Sequence, residues 1–162
     1  MTDQTDQMDP TTTSPTNPTS PTGAIAPAAR SGPAARGPRI LLYSDDRTVR
    51  AHVRTAVGPR LRAHAPEIAW AEVATPAALI AAADRGGWDL LVLDGEADKS
   101  GGMGLCRQLK NEVYRCPPVV VLTGRADDGW LASWSLADAV VPRPLDAIEL
   151  QRTVAGELAA TA

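Results

Sequence analysis

The stretch "WDLLVLD", residues 88–94, constrains this chain more than any other. Leu90, Leu91, Val92 and Leu93 form an unbroken apolar run with Trp88 just ahead of it. The run ends on a carboxylate, Asp94, followed at once by Gly95. A continuous apolar run has no polar face to offer water, so it predicts a strand covered on both sides, as in a parallel sheet packed between helices. A buried strand that delivers an acid to its own end then needs a reason.

The remainder of the chain repeats this arrangement. Strands are predicted over residues 39–44, 67–73, 88–94, 117–123 and 138–142. Helical segments fall between them at 47–57, 75–85, 102–113 and 127–137, with a last one at 146–160. In the first helix Val49, Val53 and Val57 share one face and arginines the other. Thr75 is placed to cap the second, with Pro76 in its first turn, and an Asp is placed to cap the fourth. Strict alternation of strand and helix predicts an α/β fold, a doubly wound five-stranded parallel sheet of the flavodoxin-like kind.

In such a sheet, sites form at the carboxyl ends of the strands. Four strand ends carry polar groups here: Ser44, Asp45 and Asp46 after the first, Asp94 and nearby Glu96 after the third, Thr123 after the fourth, and Arg143 before Pro144 after the fifth. Carboxylates, a hydroxyl and a guanidinium on one rim are the donor types that hold Mg²⁺ and a phosphoryl group.

Composition divides the chain near residue 38. Residues 1–38 are a tail rich in Pro, Thr and Ala that holds half of the chain's 14 prolines and no aromatic residue. Such a segment buries too little apolar surface to offset its ordering entropy, so it is expected to be disordered or extended alone, either inert or a tether that orders on a partner. Residues 39–160 form the folded domain. With an acidic, polar start no secretory signal is expected, and nothing approaches a membrane-spanning apolar run. A net charge of −3 with scattered Lys and Arg gives no electrostatic case for nucleic acid. Cys106 and Cys116 fit no metal or redox spacing, which suits a reducing cytoplasm, and Cys106 falls in an apolar helical register. His52 and His64 are isolated, and no nucleophile–base arrangement is readable, so the chain is not expected to be an enzyme.

The segments "ILLYSDD", "DLLVLD", "GMGLCRQLK", "VVVLTG" and "PRPLD" resemble the receiver domain of two-component response regulators, from Arg39 to about Leu158. The resemblance implies that Asp94 matches the phospho-acceptor, Asp45 and Asp94 the Mg²⁺ ligands, Thr123 the residue that senses the phosphoryl group, and Arg143–Pro144 the family's Lys and Pro. The departures matter more. Ser44 stands where the first acid of the Mg²⁺ pair is usual, so Mg²⁺ is expected to bind weakly. Ala97–Asp98 stand in place of Met-Pro, Val140 in place of a switching aromatic, and Arg143 in place of Lys. Arg143 can pair with Asp94 or Asp45 in place of the metal's charge, or it can bind phosphate; Asp46, Glu96 and Asp98 can stand in for the missing acid. A pseudo-receiver and a conventional regulator phosphorylated on Asp94 both stay open.

"DDGWLASWSLA" places Trp130 and Trp134 four residues apart on one helical face, two of only six aromatic residues in the chain. They suit either a partner-binding face, to which Val140 is also assigned, or core packing. With no output domain after the last helix, output is expected through protein contact. "LDGEADKSGGMGLCRQLK" and "LTGRADDGWLASWS" are further similar to stand-alone actinobacterial response regulators encoded beside the genes of respiratory complex I. That likeness implies a large protein partner, the hydrophilic-arm subunits of complex I, and a place at the cytoplasmic face of the inner membrane without direct membrane insertion.

Overall fold

The computed structural model describes residues 36–97 and 101–161. The tail expected over 1–38 falls outside the described residues up to position 35, as does Asp98. Ten main elements follow in order: β1 (Arg39–Tyr43), α1 (Arg47–Val57), β2 (Ala69–Val73), α2 (Pro76–Arg85), β3 (Leu90–Asp94), α3 (Gly102–Glu112), β4 (Val119–Thr123), α4 (Gly129–Ser135), β5 (Ala139–Pro142) and α5 (Ala147–Ala160). The five strands form one all-parallel sheet in the order β2-β1-β3-β4-β5. The expected doubly wound, flavodoxin-like architecture is therefore the observed one.

β1, β3 and β4 occupy the middle of the sheet, and every residue of β3 and β4 is buried. Alternate residues feed two cores. Leu41, Leu91, Leu93, Val119 and Val121 pack with Leu79, Leu105, Cys106 and Leu109 on one face. Ile40, Leu42, Leu90, Val92, Val120 and Leu122 pack with Val53, Val57, Leu150 and Val154 on the other. Covered on both faces, these strands need the unbroken apolar runs that the sequence shows.

The ends of the elements differ from expectation for local reasons. β3 starts at Leu90 because Trp88 turns aside, its indole Nε1 donating to the Ala82 carbonyl at 2.7 Å. β4 starts at Val119 because Pro117 and Pro118 have no N–H for the ladder. The helix expected over 127–137 is shorter, a 3₁₀ turn over Ala126–Asp128 followed by α4, which ends at Ser135 with Leu136 turning at φ +63° just beyond it. Asp128 serves the 3₁₀ turn, accepting from the Arg125 N–H at 3.1 Å. Thr75 caps α2 and Asp146 caps α5. Among the described residues, no helix is long and apolar enough to cross a membrane.

Candidate functional site

The strand order reverses between β1 and β3, and the carboxyl ends of β1, β3, β4 and β5 meet on one rim. Asp94, the last residue of β3, is held there by close packing. The next residue must be small, because a Cβ at Gly95 would lie 2.5 Å from the Leu122 carbonyl oxygen. Gly102 opens α3 directly against the end of β3, where a Cβ would lie 2.5 Å from the Asp94 carbonyl oxygen. Both neighbours approach too closely to admit a side chain, so the Asp94 carboxylate has a fixed origin.

That carboxylate is almost sealed from water, its side chain 3 % exposed. Both of its oxygens accept hydrogen bonds. Ser44 Oγ donates to Asp94 Oδ2 at 2.7 Å, Arg143 Nη2 to Oδ1 at 2.6 Å, and the Glu96 N–H to Oδ1 at 3.1 Å. Hydrogen bonds to an ionised acceptor are worth about 1.5–3 kcal/mol each, enough for this set to offset much of the cost of burying the charge. Ser44 is itself fully buried, and its Oγ accepts from the Asp46 N–H at 3.1 Å. The Arg143–Pro144 peptide is cis. Buried Arg143 Nε has no hydrogen-bond partner among the described residues.

The other predicted positions fall around this clamp rather than in it. Thr123 is buried at the end of β4, its hydroxyl donating to the Arg125 carbonyl at 3.1 Å. Asp46 turns away from the rim to cap α1, accepting from the Thr48 N–H at 2.7 Å, and that bond holds its carboxyl below the ordinary range. Asp45 is exposed. Its charge and that of Asp94 add to burial in pushing the Tyr43 hydroxyl up. The Glu96 carboxylate lies over Gly124, filling the space a side chain there would need. Val140 is half-buried on β5, in register with Val121.

These residues, as placed, do not fit a Mg²⁺ ion. Such an ion needs several oxygen ligands in a near-octahedral set. Both Asp94 oxygens already accept hydrogen bonds, a guanidinium stands beside one of them, and Asp46 is engaged in its cap. Among the described residues, no group of three or more His, Cys, Asp or Glu is disposed to hold a metal.

Two contributors were not visible in the sequence. Arg50 of α1 donates through Nη1 to the Ser44 carbonyl at 2.5 Å and through Nε to Glu72 of β2 at 3.1 Å. Arg54 Nη1 donates to the other Glu72 oxygen at 2.7 Å. The Arg54 bond, and behind it the Arg50 bond, lower the Glu72 carboxyl. A continuous polar chain thus runs from Arg54 through Glu72, Arg50, Ser44 and Asp94 to Arg143. Its only sequence signal is an arginine pair four apart facing a lone acid on the neighbouring strand.

The two α4 tryptophans are surface residues, Trp130 69 % and Trp134 50 % exposed, so they do not pack in the core. The Arg107 guanidinium lies 4.9 Å from the Trp134 ring centroid and donates to the Trp134 carbonyl. His52 and His64 are exposed. Cys106 is buried, and burial pushes its thiol up to about 11.

No family model matches the chain. Over 124 residues it is 54% identical to a protein described as an uncharacterized response regulatory protein in two strains of Mycobacterium tuberculosis, a match covering 76% of this chain and 93% of the relative. The fold matches the receiver domain of a Francisella response regulator with a TM-score of 0.66 at 17% identity, over 78% of this chain and 100% of that one. It also matches the signal receiver domain of an HD domain-containing protein of Pseudomonas fluorescens, with a TM-score of 0.67 at 15% identity, over 82% and 95%. At those identities the structural likeness is one of fold alone. On the strength of the mycobacterial match, the chain belongs to the response regulators, and its fold is that of a receiver domain.

Proposed function

We propose that this receiver acts by protein–protein contact, as a regulatory or accessory subunit whose action does not depend on phosphorylation of Asp94. The observation that carries the reading is the engagement of both Asp94 oxygens, one by Ser44 and the other by Arg143. In-line attack on a phosphodonor requires a free carboxylate oxygen with a cation beside it to neutralise the incoming charge. Here the cation is a side chain bonded to the would-be nucleophile, and Ser44 contributes a neutral hydroxyl where a charged ligand would serve a metal. The chain has no catalytic role in this reading and needs no cofactor.

The partner is inferred to be large. Trp130 and Trp134 offer adjacent rings on α4, and Trp is over-represented among residues that dominate binding energy. The likeness of residues 93–110 and 122–135 to regulators encoded with respiratory complex I makes the hydrophilic arm of that complex the candidate. The chain would then sit at the cytoplasmic face of the inner membrane through the complex. Purification of the native assembly through a tag on this chain tests the reading. Complex I subunits should co-purify equally with the wild type and with Asp94→Asn; their loss with Asp94→Asn, while the variant stays folded, would contradict it.

One observation favours a second reading, in which Asp94 is a working phospho-acceptor. The buried, unmatched N–H at Arg143 Nε is a donor that a phosphoryl oxygen would satisfy. In that case, stable phosphorylation of Asp94 by a histidine kinase would change the affinity for the partner, and Asp94→Asn would abolish the change.

A further inference from the structure

Beyond the rim and α4, one surface stands out by charge. Between Arg47 and Pro66 the chain carries five arginines and no Asp or Glu, within a protein of net charge −3. Arg54 lines a cleft of about 450 Å³ between α1 and the edge strand β2, together with Glu67, Ile68 and Trp70; Arg60 is paired to Glu67 of that lining. We propose that this edge is a docking surface for an acidic, extended segment of a partner protein.

Three features fit that occupant. First, β2 ends the sheet, and its outer edge has no strand beside it among the described residues. The Ala69 N–H bonds to the Pro38 carbonyl and the Val73 carbonyl accepts from the Ser44 N–H, so alternate residues of β2 face β1. The main-chain groups of Trp70 and Glu72 therefore point outward, the ladder onto which an added strand pairs. Second, the guanidiniums at this edge have capacity left. The side chains of Arg54 and Arg60 are 52% and 48% exposed, and each binds its own acid, Glu72 and Glu67, through a single terminal nitrogen. A guanidinium offers five N–H donors in a planar fork, so further carboxylates can be accepted. Arg62 is exposed and has no carboxylate partner among the described residues. Third, half-buried Trp70 supplies an apolar contact between the charged groups.

A polypeptide suits these features better than a nucleic acid or a lipid surface. Glu67 and Glu72 interrupt the positive field, which disfavours a continuous run of phosphates but leaves separate carboxylates their places. The outward N–H and C=O groups of Trp70 and Glu72 match the alternating donors and acceptors of another backbone, whereas phosphates, which only accept, leave the C=O groups unmatched. The surface is independent of whether Asp94 accepts phosphate.

The test uses the full chain and a fluorescein-labelled peptide of alternating Glu and Val, with a Gln/Val peptide of the same length as control. The Glu peptide should bind at low salt at least about tenfold tighter than the Gln peptide, because charge complementarity sets both encounter and register. Binding should shift the amide resonances of Trp70 and Glu72. Arg60→Glu combined with Arg62→Glu should weaken it at least about tenfold, with the melting temperature unchanged. Since Arg54 also supports Glu72, its milder Arg54→Gln variant serves as a second probe and should weaken binding to a smaller degree. Equal affinity for the two peptides, undetectable binding, or shifts centred on α4 would overturn the proposal. So would tighter binding of single-stranded DNA or phosphatidylglycerol vesicles than of the Glu peptide.

Discussion

The rim at the strand ends and the outer face of α4 treat their polar and aromatic groups in opposite ways. At the rim, the groups that carry chemistry in a receiver are engaged with one another: Asp94 with Ser44 and Arg143, Asp46 with its own helix, Thr123 with a backbone carbonyl. On α4, the large side chains Trp130 and Trp134 stand out into solvent, and among the described residues Arg107 lies over the Trp134 ring. A closed site beside an open surface is what a protein needs if its output is contact rather than turnover. The contrast also divides the effects of substitution. Changes at the rim should act on folding, and changes on α4 on binding.

The largest effect is expected at Arg143. Arg143→Ala leaves a buried carboxylate without its cation, which costs several kcal/mol for a fully buried pair. The Arg143 side chain is 31% exposed, so solvent screens part of this, and about 2 kcal/mol in urea denaturation is the expected loss. A loss below about 0.5 kcal/mol would mean that Asp94 does not rely on Arg143, and the contrast between the regions would lose its basis. Next comes α4. Replacing Trp130 and Trp134 together by Ala should weaken partner binding by about 2 kcal/mol or more, while changing stability by under about 1 kcal/mol. Early melting of this variant, with normal affinity of the folded fraction, would break the comparison from the other side.

Ser44→Ala should cost about 1.5 kcal/mol, for it removes a hydrogen bond to a buried carboxylate and leaves the Asp46 N–H without its acceptor. Asp46→Ala should have a smaller effect, with a pH signature. The Asp46 carboxyl is lowered on folding by the bond from Thr48, so its contribution is present above the unfolded pKa and lost as pH falls through the lowered folded value. Denaturation curves of wild type and Asp46→Ala should therefore differ at neutral pH and converge in acid. A difference that grows toward acid would show that Asp46 is not the cap.

Much of this could be read from the chain because the middle of the sheet is covered on both faces. Leu90–Leu93 and Val119–Leu122 have no polar position, and each run ends on the residue that reaches the rim. Strand ends make Asp94 and Thr123 legible, and the residues immediately after β1 and β5 make Ser44 and Arg143 legible. Other features depend on geometry that no local pattern encodes. Asp46 was a candidate site acid, yet an acid two residues before a Thr at a helix start is also a capping signal, and the cap prevails. Arg50 reaches Glu72 because β2 pairs with β1 in the register that sets Glu72 beside Leu42. Both α4 tryptophans stand exposed on a helix of seven residues in which Ser135 is buried. The charge of the α1 edge was hidden by an overall balance of −3, which averages the arginines of residues 47–66 with acids elsewhere.

The most direct measurement is intact mass after incubation of the full chain with acetyl phosphate and Mg²⁺. With Asp94 clamped by Ser44 and Arg143, the mass should stay that of the unmodified chain, and the double variant Ser44→Asp, Arg143→Lys should gain a phosphoryl group that disappears when Asp94 is also changed to Asn. Near-complete phosphorylation of the wild-type chain, lost with Asp94→Asn, would contradict the clamp and establish Asp94 as a working acceptor.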